Sequence, residues 1–227
     1  MASFVISPLE TTSLPVVGGG LFPVRRVFCV GQNYADHARE MGSDPDRQPP
    51  FFFTKPADAI TTNAQVAYPP KTERLDYEGE LVVALGKGGA SITVDQALDH
   101  IYGYAVGCDL TRRDLQADAK KAGRPWDMAK GFDQSGVCAA IHPTIKVGHP
   151  AQGRISLSVN GAVKQDGNLN QMIWSIPEII AVLSSYVTLQ PGDLIYTGTP
   201  AGVGALNKGD GVEITVDGVG SLSFSIV

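Results

Sequence analysis

Glycine and proline interrupt this chain so often that long regular elements have little room to form. The 227 residues include 26 glycines and 15 prolines. Proline disrupts helix interiors and central strands because it lacks an N–H donor and restricts φ. Between these breaks the sequence predicts short strands at irregular spacing and few helices. This pattern favours an α+β domain built on a bent sheet and argues against alternating βαβ units.

Composition excludes several classes of protein. With 43% hydrophobic and 18% charged residues, the chain has the apolar content of a folded domain and not of a disordered one. Its length favours one domain. The formal net charge of −5 argues against a nucleic-acid partner, because phosphate binding needs clustered Lys and Arg. No apolar run approaches the roughly 18 residues of a membrane span, so we expect no membrane association.

The cysteines and the N-terminus bear on compartment and domain organisation. Cys29, Cys108 and Cys138 are isolated among apolar neighbours. They are therefore predicted to be reduced core residues, which favours a cytoplasmic protein. The first ten residues lack the basic region of a signal peptide. We expect residues 1–22 to form an N-terminal arm and residues 23–227 to form the catalytic domain.

Local signals predict several elements. The pair Asn160-Gly161 between apolar runs predicts a hairpin with a type I′ turn. Ser175, Pro177 and Glu178 mark the start of the clearest helix. The other segments follow from their apolar pattern and bounding turns. The predicted strands include Val24–Val30, the buried run Phe51–Phe53, Glu78–Leu85, Tyr102–Cys108, Asp193–Thr197, Gly211–Val216 and Gly220–Ile226. The predicted helices are Tyr34–Met41 with Asn33 as N-cap, Val94–His100, Arg112–Ala122 and Ile176–Leu189.

A group of carboxylates stands at the ends of two predicted strands. Glu78 and Glu80 are two residues apart at the start of an apolar strand, so their side chains project to one face. Asp109 ends the next strand. Carboxylate oxygens without clustered His or Cys favour Mg²⁺ or Mn²⁺ over zinc. Spacing alone is equally consistent with ordinary acids paired with arginine on the surface.

His37 and Glu40 form a second candidate group on a short predicted helix. Residues at positions i and i+3 are neighbours on one helix face. A carboxylate beside an imidazole orients it and raises its basicity, as a general base that activates water requires. From spacing alone, an exposed helical His–Glu pair is the simpler interpretation. The remaining histidines, His100, His142 and His149, have no such neighbour and are interpreted as surface or capping residues.

Six blocks of sequence resemble the fumarylacetoacetate hydrolase family, most closely its fumarylpyruvate and acylpyruvate hydrolase branch. They occur in family order, and they are VGQNYADHAREMG (30–42), PPFFFTKPADAI (49–60), DYEGELVVALGKGG (76–89), the segment 102–135, the hairpin and helix around SVNG and SIPEII, and PGDLIYTGTPAGVG (191–204). The resemblance implies a mixed β-roll or sandwich core with peripheral helices, usually in a homodimer. It also favours the metal-binding and acid–base interpretations over the two simpler ones.

The resemblance implies roles for individual residues. Glu78, Glu80 and Asp109 match the metal ligands for Mg²⁺ or Mn²⁺, and His37, Glu40 and Lys130 match the catalytic positions. The substrate-binding positions implied by the family are Gln32, Tyr34, Lys55, Arg113, Gln116 and Thr199. Two departures stand out. Relatives commonly carry arginine at the position of Gln32, and a histidine pair where this chain has Asp76-Tyr77, which alters the groups that orient the metal ligands.

The implied activity is hydrolysis of a carbon–carbon bond in a β-diketo acid, with fumarylpyruvate cleaved to fumarate and pyruvate in aromatic catabolism. The alternatives are an oxaloacetate decarboxylase or a broader acylpyruvase of the same family. Residues 42–50 are a candidate lid. The segment Thr197–Gly204 is not interpreted as a phosphate loop, because it lacks both the GxGxxG pattern and a following Lys-Ser/Thr pair.

Overall fold

The computed structural model describes residues 4–42 and 48–227. The candidate lid at 42–50 lies largely outside these ranges. The strands in them are β1 Ser13–Pro15, β2 Leu21–Pro23, β3 Arg26–Gly31, β4 Phe51–Lys55, β5 Ile60–Thr61, β6 Gln65–Val66, β7 Leu75–Tyr77, β8 Gly79–Leu85, β9 Ile101–Asp109, β10 Thr111–Arg112, β11 Gly136–Cys138, β12 His142–Pro143, β13 Arg154–Val159, β14 Ala162–Asn168, β15 Asp193–Tyr196, β16 Gly204–Leu206, β17 Gly211–Val216 and β18 Gly220–Ile226. The helices are α1 Ala35–Glu40, α2 Arg113–Ala122, α3 Asp127–Lys130, α4 Thr144–Val147 and α5 Ile176–Tyr186. No helix in the described ranges is long and apolar enough to cross a membrane.

Two larger sheets form the centre of the molecule. The first has the order β4-β3-β15-β8-β9-β11-β5, with β12 beside β9, and the second has the order β14-β13-β17-β18-β6. The first sheet is mixed, since β15 pairs in parallel with β3 and antiparallel with β8. Two small sheets, β10-β7-β16 and β1-β2, complete the described strands. The α+β class predicted from the sequence is confirmed.

Strand β8 is the central element, and all seven of its residues are buried. Because side chains alternate along a strand, Leu81 and Val83 belong to the cluster between the two larger sheets, together with Leu157 of β13. Val82 and Ala84 belong to a second cluster on the opposite face of the first sheet. The continuous apolar run of β8 therefore follows from burial on both faces.

The second cluster is covered by residues of the predicted N-terminal arm. Leu14 of β1 and Phe22 of β2 are buried in it, and Val16 forms a bridge to Ile141. Gly18, which lies between the two strands, has a φ of +105° that favours glycine. Residues 13–23 thus form a hairpin packed on the sheet, while the domain boundary at residues 22 and 23 stays a prediction.

The hairpin and the clearest helix have the predicted local chemistry. Asn160 and Gly161 have φ values of 53° and 79°, as a type I′ turn requires. Ser175 and Glu178 form a capping box at the start of α5. The helix ends at Tyr186 and not at Leu189, because the β-branched Val187 adopts an extended conformation.

Three local predictions were wrong. The segment predicted as a helix from Val94 forms only a 3-10 turn at Ala97–His100, because the segment is short and no side chain caps its start. Phe51 is 39% exposed and not buried, because β4 is the edge strand of the first sheet. His100 is buried and not on the surface, with Nδ1 3.2 Å from the carbonyl oxygen of Lys87.

Candidate metal centre and active site

Antiparallel pairing of β8 and β9 brings the three predicted metal ligands together. Gly79 pairs with Cys108, and the backbone N–H of Asp109 donates to the carbonyl oxygen of Glu78 at 2.8 Å. Directly opposed residues project to the same face, so Asp109 lies beside Glu78, and Glu80 shares that face. One oxygen from each of the three buried carboxylates lies within 4.8 Å of the others. We call Glu78, Glu80 and Asp109 the carboxylate cluster.

Three buried cations contact the carboxylate cluster. The ammonium of Lys130 donates to Glu78 Oε2 and to Asp109 Oδ2, both at 2.8 Å. Lys55 Nζ lies 2.8 Å from Asp109 Oδ1, and Arg113 donates to Glu78 Oε1 at 2.6 Å. Burial alone would lower the pKa of Lys130, but the charges of Asp109 and Glu78 outweigh it and hold this pKa above its usual range. Lys130 is therefore a protonated hydrogen-bond donor and not a base.

Glu80 is the cluster member with the least cationic support. Its Oε2 accepts a hydrogen bond from the backbone N–H of Gly198 at 2.7 Å. Burial, followed by the nearby charges of Asp109 and Glu78, raises the pKa of the Glu80 carboxyl well above its usual range. At Glu78 the pKa moves the other way, because adjacent cations outweigh the effect of burial. The negative charge around Glu80 thus exceeds what the protein's own cations neutralise.

These observations fit a divalent cation. The donor set consists of carboxylate oxygens, which Mg²⁺ and Mn²⁺ prefer, whereas zinc prefers nitrogen and sulfur. The raised pKa of Glu80 shows where additional positive charge would be most favourable. The buried hydroxyl of Tyr34 has no hydrogen-bond partner among the described residues, and burial, followed by the charge of Glu80, raises its pKa. The carboxylate cluster could therefore hold Mg²⁺ or Mn²⁺.

The predicted His–Glu pair forms on α1, and its imidazole faces a cavity beside the carboxylate cluster. His37 Nδ1 lies 3.2 Å from Glu40 Oε2, and His37 lines a cavity together with Glu78 and Glu80. His37 is only 5% exposed, so the simpler interpretation of an exposed pair is wrong for the imidazole.

The start of α1 differs from the prediction. The N-cap residue is Tyr34, and no side chain caps the helix. The amide of Asn33 instead donates to the carbonyl oxygens of Trp174 at 3.0 Å and Thr197 at 2.9 Å, and its Oδ1 accepts from the Trp174 N–H at 2.8 Å. Asn33 thereby ties the helix that carries His37 to two distant segments. The sequence pattern predicted only that Asn33 caps this helix, because Asn is a common N-cap residue.

The predicted substrate-binding residues fall into two groups. The cavity is lined by Gln32, Arg113, Gln116 and Thr199, together with Lys130. Tyr34 and Lys55 are not among its lining residues. Lys55 contacts the carboxylate cluster at Asp109, and the Tyr34 hydroxyl is buried near Glu80. The substrate-binding roles of all six residues stay predictions.

Gln165 of β14 is a contributor that sequence reasoning missed. Its Oε1 accepts from the Gly79 N–H at 2.9 Å, and its Nε2 donates to Thr199 Oγ1 at 2.7 Å and to the Pro200 carbonyl at 2.6 Å. Thr199 in turn donates to the Gly79 carbonyl at 2.8 Å. The two side chains hold both peptide groups of Gly79, which lies between the predicted metal ligands Glu78 and Glu80. Gln165 is the one buried residue of β14, and nothing in the neighbouring sequence distinguishes it.

Aromatic side chains form one wall of the cavity. Phe51, Phe53 and Trp126 all line it. The rings of Phe51 and Trp126 meet edge to face with centroids 5.5 Å apart, and the centroid of Phe53 lies 5.8 Å from that of Trp126. The site therefore combines a polar floor that suits a metal ion with an apolar wall.

The fold and this site define an enzyme domain with a candidate divalent-metal site and a His–Glu pair beside it. Residues 26–227 match the family model described as the C-terminal domain of fumarylacetoacetate (FAA) hydrolase. The chain belongs to the fumarylacetoacetate hydrolase family. The family and fold predicted from the sequence are confirmed, as is the predicted enzyme class, a hydrolase acting on carbon–carbon bonds.

Similar proteins of the family carry more specific names. Fumarylpyruvate hydrolase of Ralstonia sp. is 50% identical over 177 residues, which cover 78% of this chain and 92% of the relative. The mitochondrial oxaloacetate tautomerase FAHD1 of Mus musculus is 42% identical over 203 residues, which cover 89% of this chain and 91% of the relative. A crystal structure of fumarylpyruvate hydrolase from Pseudomonas aeruginosa in complex with Mn²⁺ and pyruvate is 48% identical, covers 99% of each chain and superposes with a TM-score of 0.97.

Proposed function

We propose that this protein is a divalent-metal-dependent acylpyruvate hydrolase that cleaves fumarylpyruvate to fumarate and pyruvate. The observation that carries the proposal is the shared cavity, in which His37, paired with Glu40, faces the carboxylate cluster. The Ralstonia relative and the Pseudomonas complex with Mn²⁺ and pyruvate support it. A place in aromatic catabolism follows from the same substrate.

Glu78, Glu80 and Asp109 would hold the metal ion. Mg²⁺ or Mn²⁺ bound there supplies Lewis acidity that polarises substrate oxygens, a contribution of several kcal/mol. Gly198 orients Glu80 through its backbone N–H, while Lys130 and Arg113 orient Glu78. The protein thus presents three carboxylates, from Glu78 just before β8, Glu80 in β8 and Asp109 at the end of β9.

His37 is proposed to act as the general base. Its Nδ1 lies beside the Glu40 carboxylate, which favours the tautomer with the proton on Nδ1 and leaves Nε2 able to accept a proton from water. The water oxygen then forms a bond to the acyl carbonyl carbon of the substrate. General-base catalysis of this kind typically contributes about 10²- to 10⁴-fold.

Cleavage breaks the bond between the acyl carbonyl carbon and the adjacent methylene carbon. The bonding electron pair passes into the pyruvate enolate, and the acyl group leaves as a carboxylic acid. Lys130, whose ammonium stays protonated, is placed to stabilise negative charge beside the carboxylate cluster. The proton held by His37 returns to the methylene carbon, so one water is consumed and pyruvate is formed.

A second candidate is chemistry on oxaloacetate. The mouse relative is an oxaloacetate tautomerase at 42% identity, and the decarboxylase alternative uses the same enolate stabilisation. Neither reaction requires water to add to a carbonyl group. The buried His37 and its partner Glu40 favour hydrolysis or tautomerisation over decarboxylation, because both of those reactions need a base, and the Ralstonia and Pseudomonas relatives favour hydrolysis.

The test is a panel of fumarylpyruvate, acetylpyruvate and oxaloacetate, each assayed with and without Mg²⁺. Pyruvate release reports hydrolysis or decarboxylation, and proton NMR reports keto–enol exchange. We expect metal-dependent hydrolysis of fumarylpyruvate and a loss of about 10²- to 10⁴-fold in kcat for His37→Asn. Asp36→Asn on the exposed side of α1 is the matched control. Full hydrolysis after verified metal removal, or turnover of oxaloacetate alone, would overturn the proposal.

A homodimer in the cytoplasm remains part of the proposal. Light scattering coupled to size-exclusion chromatography measures the mass in solution, and fractionation of the source cells measures the compartment. A mass close to twice 24.0 kDa is expected.

A further inference from the structure

One wall of the cavity is a single face of helix α2. Arg113, Gln116 and Lys120 stand at positions i, i+3 and i+7, which share one face of a helix, and all three line the cavity. Arg113 contacts Glu78 of the carboxylate cluster. At 1.5 Å per residue, Lys120 lies about 10 Å further along the helix axis, where it is exposed. This face therefore runs from the carboxylate cluster to the mouth of the cavity.

The cations of the cavity differ in their partners. Arg113 and Lys130 are each ion-paired with a buried carboxylate at 2.8 Å or less. No carboxylate among the described residues lies within ion-pair distance of the Lys120 ammonium. An anion that enters the cavity therefore finds in Lys120 a cation whose hydrogen-bond donors are not taken up by the described carboxylates.

The space between the carboxylate cluster and Lys120 suits a flat unsaturated chain. Phe51 and Trp126 line the same cavity as Lys120 and the two glutamates, and their rings meet edge to face. Aromatic surface packs well against a planar conjugated group and offers no counter-charge for a carboxylate. A ligand with a 2-oxo acid at one end and a carboxylate at the other would present complementary groups to the carboxylate cluster and to Lys120.

We propose that Lys120 binds the distal carboxylate of the substrate and so selects acylpyruvates whose acyl group ends in a carboxylate over those with an uncharged end. This inference rests on the proposed function and specifies its substrate class. Arg124 is the rival cation, but it lines a neighbouring cavity with Phe51 and Trp126 and not the cavity of the carboxylate cluster.

The kinetic test compares fumarylpyruvate with acetylpyruvate, which lacks the distal carboxylate. For Lys120→Met we expect KM for fumarylpyruvate to rise about 10- to 100-fold, as for the loss of one hydrogen bond to a charged group. We expect kcat for fumarylpyruvate, and both constants for acetylpyruvate, to stay within about twofold of the wild type. Lys120→Arg should retain most of the preference. Lys121→Met removes the same charge from the next residue of α2, which does not line the cavity. This control should leave KM and kcat unchanged for both substrates.

Two results would overturn the assignment of Lys120. One is an equal loss for both substrates in Lys120→Met, which would indicate a structural effect. The other is a selective loss in Arg124→Met but not in Lys120→Met, which would place the distal carboxylate in the neighbouring cavity.

A binding test separates this inference from the proposed reaction. The probes are 2-oxoheptanedioate and 2-oxoheptanoate, which differ only in the distal carboxylate and lack the second keto group needed for cleavage. Calorimetry with Mg²⁺ present should show that wild type binds the dicarboxylate about tenfold more tightly, and that Lys120→Met abolishes this preference. If fumarylpyruvate is not hydrolysed but the preference is found, the proposed reaction fails and the Lys120 assignment stands. If hydrolysis occurs and wild type shows no preference, only the assignment fails.

Discussion

The backbone N–H of Gly202 lies 3.2 Å from both carboxylate oxygens of Glu40. Glu40 in turn contacts Nδ1 of His37, so the loop after β15 holds the side chain that orients the imidazole. Gly202 has a φ of +98°, and a Cβ added there would lie 2.1 Å from the carbonyl oxygen of Lys164. Any larger residue must therefore shift the loop or the backbone at Lys164, and we expect this shift to disturb the contact of the Gly202 N–H with Glu40.

Gly202→Ala should impair catalysis as well as stability. We expect kcat to fall at least tenfold, because Glu40 loses a hydrogen-bond donor, while Mn²⁺ affinity stays close to wild type. Gly209→Ala is the matched control, since its φ is +92° and an added Cβ meets nothing within 4 Å. The control should show only backbone strain of about 1–3 kcal/mol in urea unfolding. Equal kcat values in the two variants would contradict a role for Gly202 in holding Glu40.

Removal of a metal ligand should be more damaging than removal of the residue that orients the base. Glu80→Ala should abolish measurable Mn²⁺ binding in calorimetry and reduce kcat below the level reached by Glu40→Ala. Glu40→Ala should retain Mn²⁺ binding and lose about 10²- to 10⁴-fold in kcat at most. Normal Mn²⁺ affinity in Glu80→Ala would remove this residue from the metal site.

The raised pKa of Glu80 predicts a pH dependence of the metal-free protein. The folded state holds the Glu80 proton to a higher pH than the unfolded chain does, so its stabilising contribution is complete below the unfolded pKa. That contribution is lost as pH rises through the folded pKa, at about 1.4 kcal/mol for each pH unit between the two values. Metal-free Glu80→Gln should therefore have a higher free energy of unfolding than wild type at pH 7.5.

The same urea titrations at pH 4, where the carboxyl of the unfolded chain is largely protonated, should give nearly equal free energies of unfolding for wild type and Glu80→Gln. Addition of Mg²⁺ at pH 7.5 should make wild type the more stable protein, because metal binding to the folded state stabilises wild type and not the variant. Glu213→Gln, at an exposed site on β17, is the control and should shift neither curve. A metal-free Glu80→Gln protein that is less stable than wild type at pH 7.5 would contradict the charge crowding described for Glu80.

The cysteines are expected to be unreactive in the folded protein. Cys29, Cys108 and Cys138 are free and buried. Burial raises the pKa of Cys29 well above its usual range and that of Cys138 to about 12, so little thiolate exists at pH 8. We test this with a disulfide reagent whose leaving thiolate absorbs light. The reagent should label none of the three cysteines in native buffer within an hour and all three in urea. Rapid labelling without denaturant would show that the core opens locally.

Much of the site was predictable because it depends on periodicity within one segment. The extended backbone that leads into β8 places Glu78 and Glu80 on one face, and helical spacing places His37 beside Glu40 on α1. The Asn160-Gly161 turn and the capping box of α5 are likewise local signals that the structure confirms. Each of these features depends on a few consecutive residues and on backbone geometry that is the same in every protein.

The neighbours of those residues could not be predicted in the same way. Asn33 was expected to cap α1, but its amide bonds to backbone groups 141 and 164 residues away. Gln165 holds the peptide of Gly79 from 86 residues away, and no spacing rule connects the two. The exposed face of Phe51 depends on β4 being an edge strand, which only the strand order determines.

The sequence by itself determined which chemical groups this protein presents, three carboxylates, an imidazole and a lysine, together with the family whose motifs they match. The tertiary structure decided which of them meet. The register of β8 against β9 brings Asp109 beside Glu78, and the packing of α2 and α3 places cations around the resulting cluster while leaving Lys120 at the mouth of the cavity. Contacts across such separations depend on strand order and long-range packing, which are properties of the whole folded chain and not of any one segment.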